Sequence, residues 1–367
     1  MSSFDAPVLH LLGPVLVAPD EPADEAWVVD GRITYRRPET GQVEEATTIE
    51  GWVLPGLVDA HNHVGLDAHG AVDLATQEGQ ALADRAAGAL LLRDAGSPAD
   101  TRWVDQREDL PRIVRAGRHL ARTRRYIRNF AHEIEPEQLA EYVTVEAARG
   151  DGWVKLVGDW IDREVGDLAP CWPLPALTEA IAAAHELGAR VTAHCFGEDC
   201  LPDLVAAGID CIEHATGLTD ETLADVARRG VAIVPTLINI ATFPQHADDG
   251  QARFPVYAAH MRRLHEQRYP TVRDAYDAGV PIFVGTDAGG SLPHGLVAAE
   301  VAELVAAGLP ATSALDAACW GARTWLRRPG LEEGAPADLV VYPADPREDV
   351  AVLAHPRMVV LRGRVWG

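Results

Sequence analysis

From residue 52 onward, short apolar runs rich in Val, Ile and Leu alternate with longer stretches rich in Ala, Leu and Glu. That alternation predicts βα units around a parallel sheet. Strands are expected at 52–58, 89–94, 113–116, 153–157, 190–193, 211–213, 231–235 and 281–285. Eight such strands is the count of a closed α/β barrel. Helices are expected at 177–187 and 222–229, stopped by Gly188 and Gly230, since a glycine just past the last turn is the usual helix end. A stretch at 296–307, stopped by Gly308, reads as the last barrel helix, with a further helix at 313–326.

The two ends of the chain are patterned differently. Residues 7–50 hold short alternating runs such as Ala26-Trp27-Val28-Val29-Asp30-Gly31-Arg32-Ile33, where Asp-Gly marks a hairpin turn. Residues 331–367 repeat the style in the runs at 337–342 and 358–363. The expected architecture is therefore α/β: a TIM-type (β/α)8 barrel over 55–330, and a small β-sandwich domain built from both termini, 1–54 with 331–367.

Composition narrows the function. The formal net charge of −23 repels phosphate backbones and anionic lipid, so neither nucleic acid nor membrane is an expected partner. Five scattered cysteines without a CxxC pair suit a reducing compartment. With no basic leader and no run of 18 apolar residues, a cytoplasmic location is expected. A chain of 367 residues buries enough surface to need no structural metal, so any metal should be functional.

One count stands out. Of the 32 basic residues, 31 are arginine and one is lysine, Lys155, in the fourth expected strand. Guanidinium stays protonated, whereas a buried ammonium loses its proton more readily and becomes a nucleophile. A neutral lysine amine can add CO2 to give an anionic carbamate that binds cations; arginine cannot. Codon usage alone could leave a single lysine, so the rest of the sequence must decide.

Reactive groups on a parallel barrel belong at the C-terminal ends of its strands. The first strand leads into His61-Asn62-His63, where alternation puts both histidines on one face. The fifth and sixth end in His194 and His214, twenty residues apart, which is about one βα unit. The eighth ends in Asp287. Alone, a strand-end histidine is usually structural and Asp287 would cap a helix; converging on one mouth, they form a ligand set for divalent cations. With a Lys155 carbamate, the set would hold two.

These motifs resemble the amidohydrolase superfamily, and within it the dinuclear, carbamylated-lysine subtype. The resemblance spans essentially the whole chain. It implies that His61, His63 and Asp287 bind the more buried ion, that His194 and His214 bind the more exposed one, and that the Lys155 carbamate bridges them. Asp287 would also move the proton of the attacking water, making Asp287 and Lys155 the expected catalytic pair. The ions would be zinc, although manganese, cobalt or nickel suit such ligands.

Gly285-Thr286-Asp287-Ala288-Gly289 and the run at 334–341 resemble the branch of imidazolonepropionase-like enzymes and Xaa-Pro dipeptidases, which cleave linear or cyclic amides. The expected substrate is thus a small molecule such as a dipeptide, an N-acyl amino acid or a lactam, and a homo-oligomer is allowed. After the third strand, arginines 112, 115, 118, 122, 124, 125 and 128 crowd together. They read either as a solvated face or as a clamp for a substrate carboxylate. Arg118, His119, Arg125 and Tyr126, with His294 beyond the eighth strand, are the candidate substrate contacts.

Three other readings compete. A mononuclear deaminase would use a glutamate three positions after His194, but Gly197 stands there and Glu198 one further on. A lactonase or esterase would use the same ligands. A non-catalytic relative would have lost some of them.

Overall fold

The computed structural model describes residues 3–4 and 8–366, side chains from residue 8. Seven barrel strands run parallel in chain order: Leu57–Asn62, Ala89–Asp94, Arg112–Arg115, Trp153–Val157, Arg190–Cys195, Cys211–His214 and Ala232–Val234. The eighth position, 281–285, is hydrogen-bonded to both neighbours without forming a ladder. Phe283 N donates to Ile233 O at 3.0 Å and Ala60 N to Val284 O at 2.7 Å.

The ring of ladders is also open between the third and fourth strands. Trp153–Val157 pairs with an unexpected short strand, Leu120–Arg122, which pairs in turn with His132–Ile134. The barrel is therefore assembled from a three-stranded and a six-stranded sheet. Chain inserted after the third strand has wedged into the seam.

The expected strand 52–58 divides at Gly56. Trp52–Pro55 joins the terminal sheet, antiparallel to Leu339–Tyr342, and Leu57–Asn62 starts the barrel. A β-carbon on Gly56 would lie 2.5 Å from the Leu90 side chain, so glycine lets the chain change sheets against the second barrel strand. The expected helix 313–326 also divides, into Ala311–Ala317 and Trp320–Trp325, with the break at Cys319 (φ −136°, ψ −99°). The helices at Leu174–Glu186, Asp220–Arg229 and Val297–Ala306 lie within a few residues of expectation.

Both ends meet in one nine-stranded sheet. Its hairpin, Glu21–Val29 with Arg32–Thr34, turns on Asp30 and Gly31 at φ 50° and 74°, the paired positive φ of a type I′ turn. A buried cluster including Leu9, Leu11, Val28, Ile33, Val53, Leu339, Val341 and Val360 lies entirely within residues 1–54 and 331–367. On that ground we propose those segments as one domain and 55–330 as the other. Among the described residues, no helix is long and apolar enough to cross a membrane.

Candidate metal centre and cavity

The strand ends bring the histidines and Asp287 into two close groups. His61 Nε2 and His63 Nε2 are 3.1 Å apart, and Asp287 Oδ1 lies 3.1 Å from the first and 3.0 Å from the second. His194 Nδ1 and His214 Nε2 are 2.9 Å apart. Donors about 2.0–2.1 Å from one cation must themselves lie about 3 Å from each other, so both spacings fit a divalent ion. The groups adjoin, because donor atoms of His61, His214 and Asp287 all fall within 4.8 Å of one another.

Two of the four rings, His63 and His214, are held from behind by a hydrogen bond, the usual arrangement for ligating histidines. His63 Nδ1 donates to Gly96 O at 2.7 Å, leaving the Nε2 lone pair facing Asp287. His214 Nδ1 is 2.7 Å from Thr236 Oγ1. His61 Nδ1 is 2.7 Å from Glu213 Oε2, though not aligned for a hydrogen bond. His194 Nε2 has no hydrogen bond and lies 3.9 Å from Asp159.

Backbone strain marks the same layer. His214, Ala215, Thr236 and Asp287 all have φ between 49° and 67°, a region that non-glycine residues enter at a cost of about 1–3 kcal/mol each. In return the strands turn sharply at their ends, and His214 and Asp287 face the axis.

Lys155 is 1% exposed, in register with Thr192 of the fifth strand. Its amine makes no hydrogen bond or ion pair with any described residue. Burial holds its ammonium below the usual range, against the pull of Glu213 and Asp287. Burial alone would raise the Asp287 carboxyl, but the neighbouring His61 and His63 hold it well below the usual range.

Beneath this layer Glu213 is 2.5 Å from Arg93 Nη2, and Thr192 also donates to it. The Arg93 guanidinium lies over Trp153 and Trp325, 4.7 and 5.1 Å from the ring centroids. Nothing in the local sequence around Arg93 announced this floor.

Above the layer opens a cavity of about 310 Å³ lined by His63, His194, Asp287, His119 and Tyr126, among others. Neither His119 ring nitrogen has a hydrogen-bond partner, and the residue is 1% exposed. Asn239, absent from the sequence-based candidates, donates from Nδ2 to Asp287 Oδ2 at 2.5 Å.

The remaining candidates are engaged elsewhere. Arg125 is spent on Asp162 Oδ2 at 2.6 Å and on the carbonyls of Trp160 and Ala169. Arg118 bonds the carbonyls of Phe130 and Asn129. His294 Nδ1 is 2.8 Å from Asp84. None of the three lines the cavity. Glu198, the residue that kept the deaminase reading open, binds His260 and Arg263 instead.

An α/β barrel with a histidine and carboxylate centre at its strand ends is the frame of a hydrolase. Residues 52–366 match the amidohydrolase family; the chain belongs to that family of amide-hydrolysing enzymes, whose members generally bind divalent metals. An uncharacterized protein of Mycobacterium tuberculosis is 57% identical over 362 residues, 98% of this chain and 96% of that one. The ochratoxinase of Aspergillus niger is 27% identical over 238 residues, 63% of this chain and 48% of its own. A crystal structure of a Xaa-Pro dipeptidase with bound methionine superposes with a TM-score of 0.80 at 22% identity, covering 98% of this chain and 99% of the other.

Proposed function

We propose that the enzyme hydrolyses the carbon–nitrogen bond of a small amide with two divalent ions, zinc being the natural occupant. His61, His63 and Asp287 would hold one ion, His194 and His214 the other, and a carbamate on Lys155 would join them. The observation that carries this reading is the pair of donor groups, each at the spacing one ion requires, sharing a layer with an unbonded buried amine. Ions held there make water a nucleophile at neutral pH and polarise a carbonyl oxygen.

The chain's own groups do the rest. Asp287 takes the proton of the attacking water through its carboxylate while Asn239 fixes that carboxylate from the other oxygen. A new C–O bond forms, the C–N bond breaks, and the proton passes from Asp287 to the leaving nitrogen. His119 and the Tyr126 hydroxyl, with no partner among the described residues, are free to bond the substrate at the cavity wall. The deaminase reading loses its general acid–base candidate, because Glu198 is ion-paired outside the cavity.

Chelation followed by titration with Zn2+, Mn2+ or Co2+ tests the proposal. Hydrolysis of an amide panel should vanish with the metal and return as bound metal approaches two ions per chain. Full activity at one ion per chain, or without metal, would defeat it.

A further inference from the structure

Resting on the amide-hydrolase reading, we infer that the enzyme takes uncharged amides carrying a flat apolar group and discriminates against carboxylate-bearing counterparts. The cavity over His63, His194 and Asp287 is walled by Tyr126, Phe130, Trp160, Phe196 and Tyr257. Its rings form a continuous arc beside the centre. Tyr126 meets Trp160 edge-on with centroids 4.8 Å apart, and Trp160 runs on to Phe196 at 6.5 Å with planes 29° apart. Such faces favour stacking with a flat apolar partner.

Charge points the same way. Among the described residues, no lysine or arginine lines the cavity. Two guanidinium groups of the flanking segment are turned into the protein to build its wall, Arg125 holding the carbonyl of Trp160 and Arg118 the carbonyl of Phe130, while Arg124 and Arg128 are exposed and do not line the cavity. Two members of the arginine cluster thus support the aromatic wall, and no fixed side-chain cation lines the cavity for a substrate carboxylate. With the ions at the centre engaged by water and the scissile carbonyl, moving a carboxylate from water onto the aromatic wall, where no cationic side chain meets it, is unfavourable, and a chain of net charge −23 does nothing to draw it in.

A matched pair of anilides tests this on the metal-loaded enzyme: methyl 4-acetamidobenzoate and the free 4-acetamidobenzoate, which share the scissile amide and differ in charge. The ester should be cleaved at its amide with at least about 10-fold higher kcat/KM, about 1.4 kcal/mol. Ile127→Arg, which adds a cation at a cavity-lining position already 39% exposed, should narrow that ratio. A free acid cleaved as well as the ester, or a ratio unmoved by the arginine, overturns the inference and leaves the hydrolase reading intact. Should neither compound be cleaved, calorimetry on the same pair decides. Tighter binding of the ester keeps the neutral-ligand inference and places the failure in the amide-hydrolase reading; equal binding, a preference for the acid or no binding overturns the inference.

Discussion

The floor of the barrel and its mouth each bury a basic side chain, Arg93 in one and Lys155 in the other. Arg93 has a charged partner: Glu213 pairs with its Nη2 and two indole faces lie against the guanidinium, while Nε and Nη1 have no hydrogen-bond partner. Lys155, two residues beyond one of those indoles on the same strand, is left without a bond. The floor residues Arg93, Trp153, Thr192 and Glu213 all lie within regular strands, whereas His214, Ala215, Thr236 and Asp287 at the mouth are strained. Burial alone therefore does not separate a structural charge from a functional one. What separates them is the counter-charge: Glu213 stands 2.5 Å from Arg93, whereas no carboxylate of the described residues pairs with the Lys155 amine, and a buried charge without a partner is costly.

Removing the floor's cation should produce the largest effect. Arg93→Met leaves Glu213 buried without its partner, and breaking a buried pair this way costs about 3–5 kcal/mol. Denaturant unfolding should register that loss. Unchanged stability would show that the floor is not the structural half of the contrast.

A smaller effect is expected where the two regions join. Glu213 touches Arg93 with one oxygen and approaches His61 with the other. Glu213→Gln keeps the shape and removes the charge behind His61, a proposed ligand, and loss of such a charge typically lowers metal affinity about 10–100-fold. Competition with a chelating dye would measure it. Unaltered affinity would confine Glu213 to the floor.

Much of the mouth was legible because strand alternation and strand ends leave local marks. His-x-His, two lone histidines one βα unit apart and the carboxylate of Gly-Thr-Asp each sit where a pattern changes from apolar to polar. The Asp30-Gly31 turn was equally plain, since its backbone demands those residue types. The illegible parts depend on partners distant in sequence. Arg93 and Glu213 are 120 residues apart, and Asn239 reaches Asp287 from a helix, Leu237–Ile240, that no expected element contained. The arginine cluster was legible only in part: Arg112, Arg124 and Arg128 are exposed, as a solvated face requires, while Arg115 and Arg125 turn inward onto Asp105, Asp151 and Asp162. The eighth strand read correctly in position, yet its two inter-strand bridges do not amount to a ladder.

The contrast rests finally on the chemical form of Lys155. The most direct measurement is 13C NMR of enzyme reconstituted with zinc in 13C-labelled bicarbonate. A carbamate carbon signal is expected in the active protein and none in Lys155→Arg, which should also bind fewer than two ions and lose hydrolysis. An active, metal-loaded enzyme with no carbamate signal, or a Lys155→Arg protein with full activity, would contradict the carbamate reading.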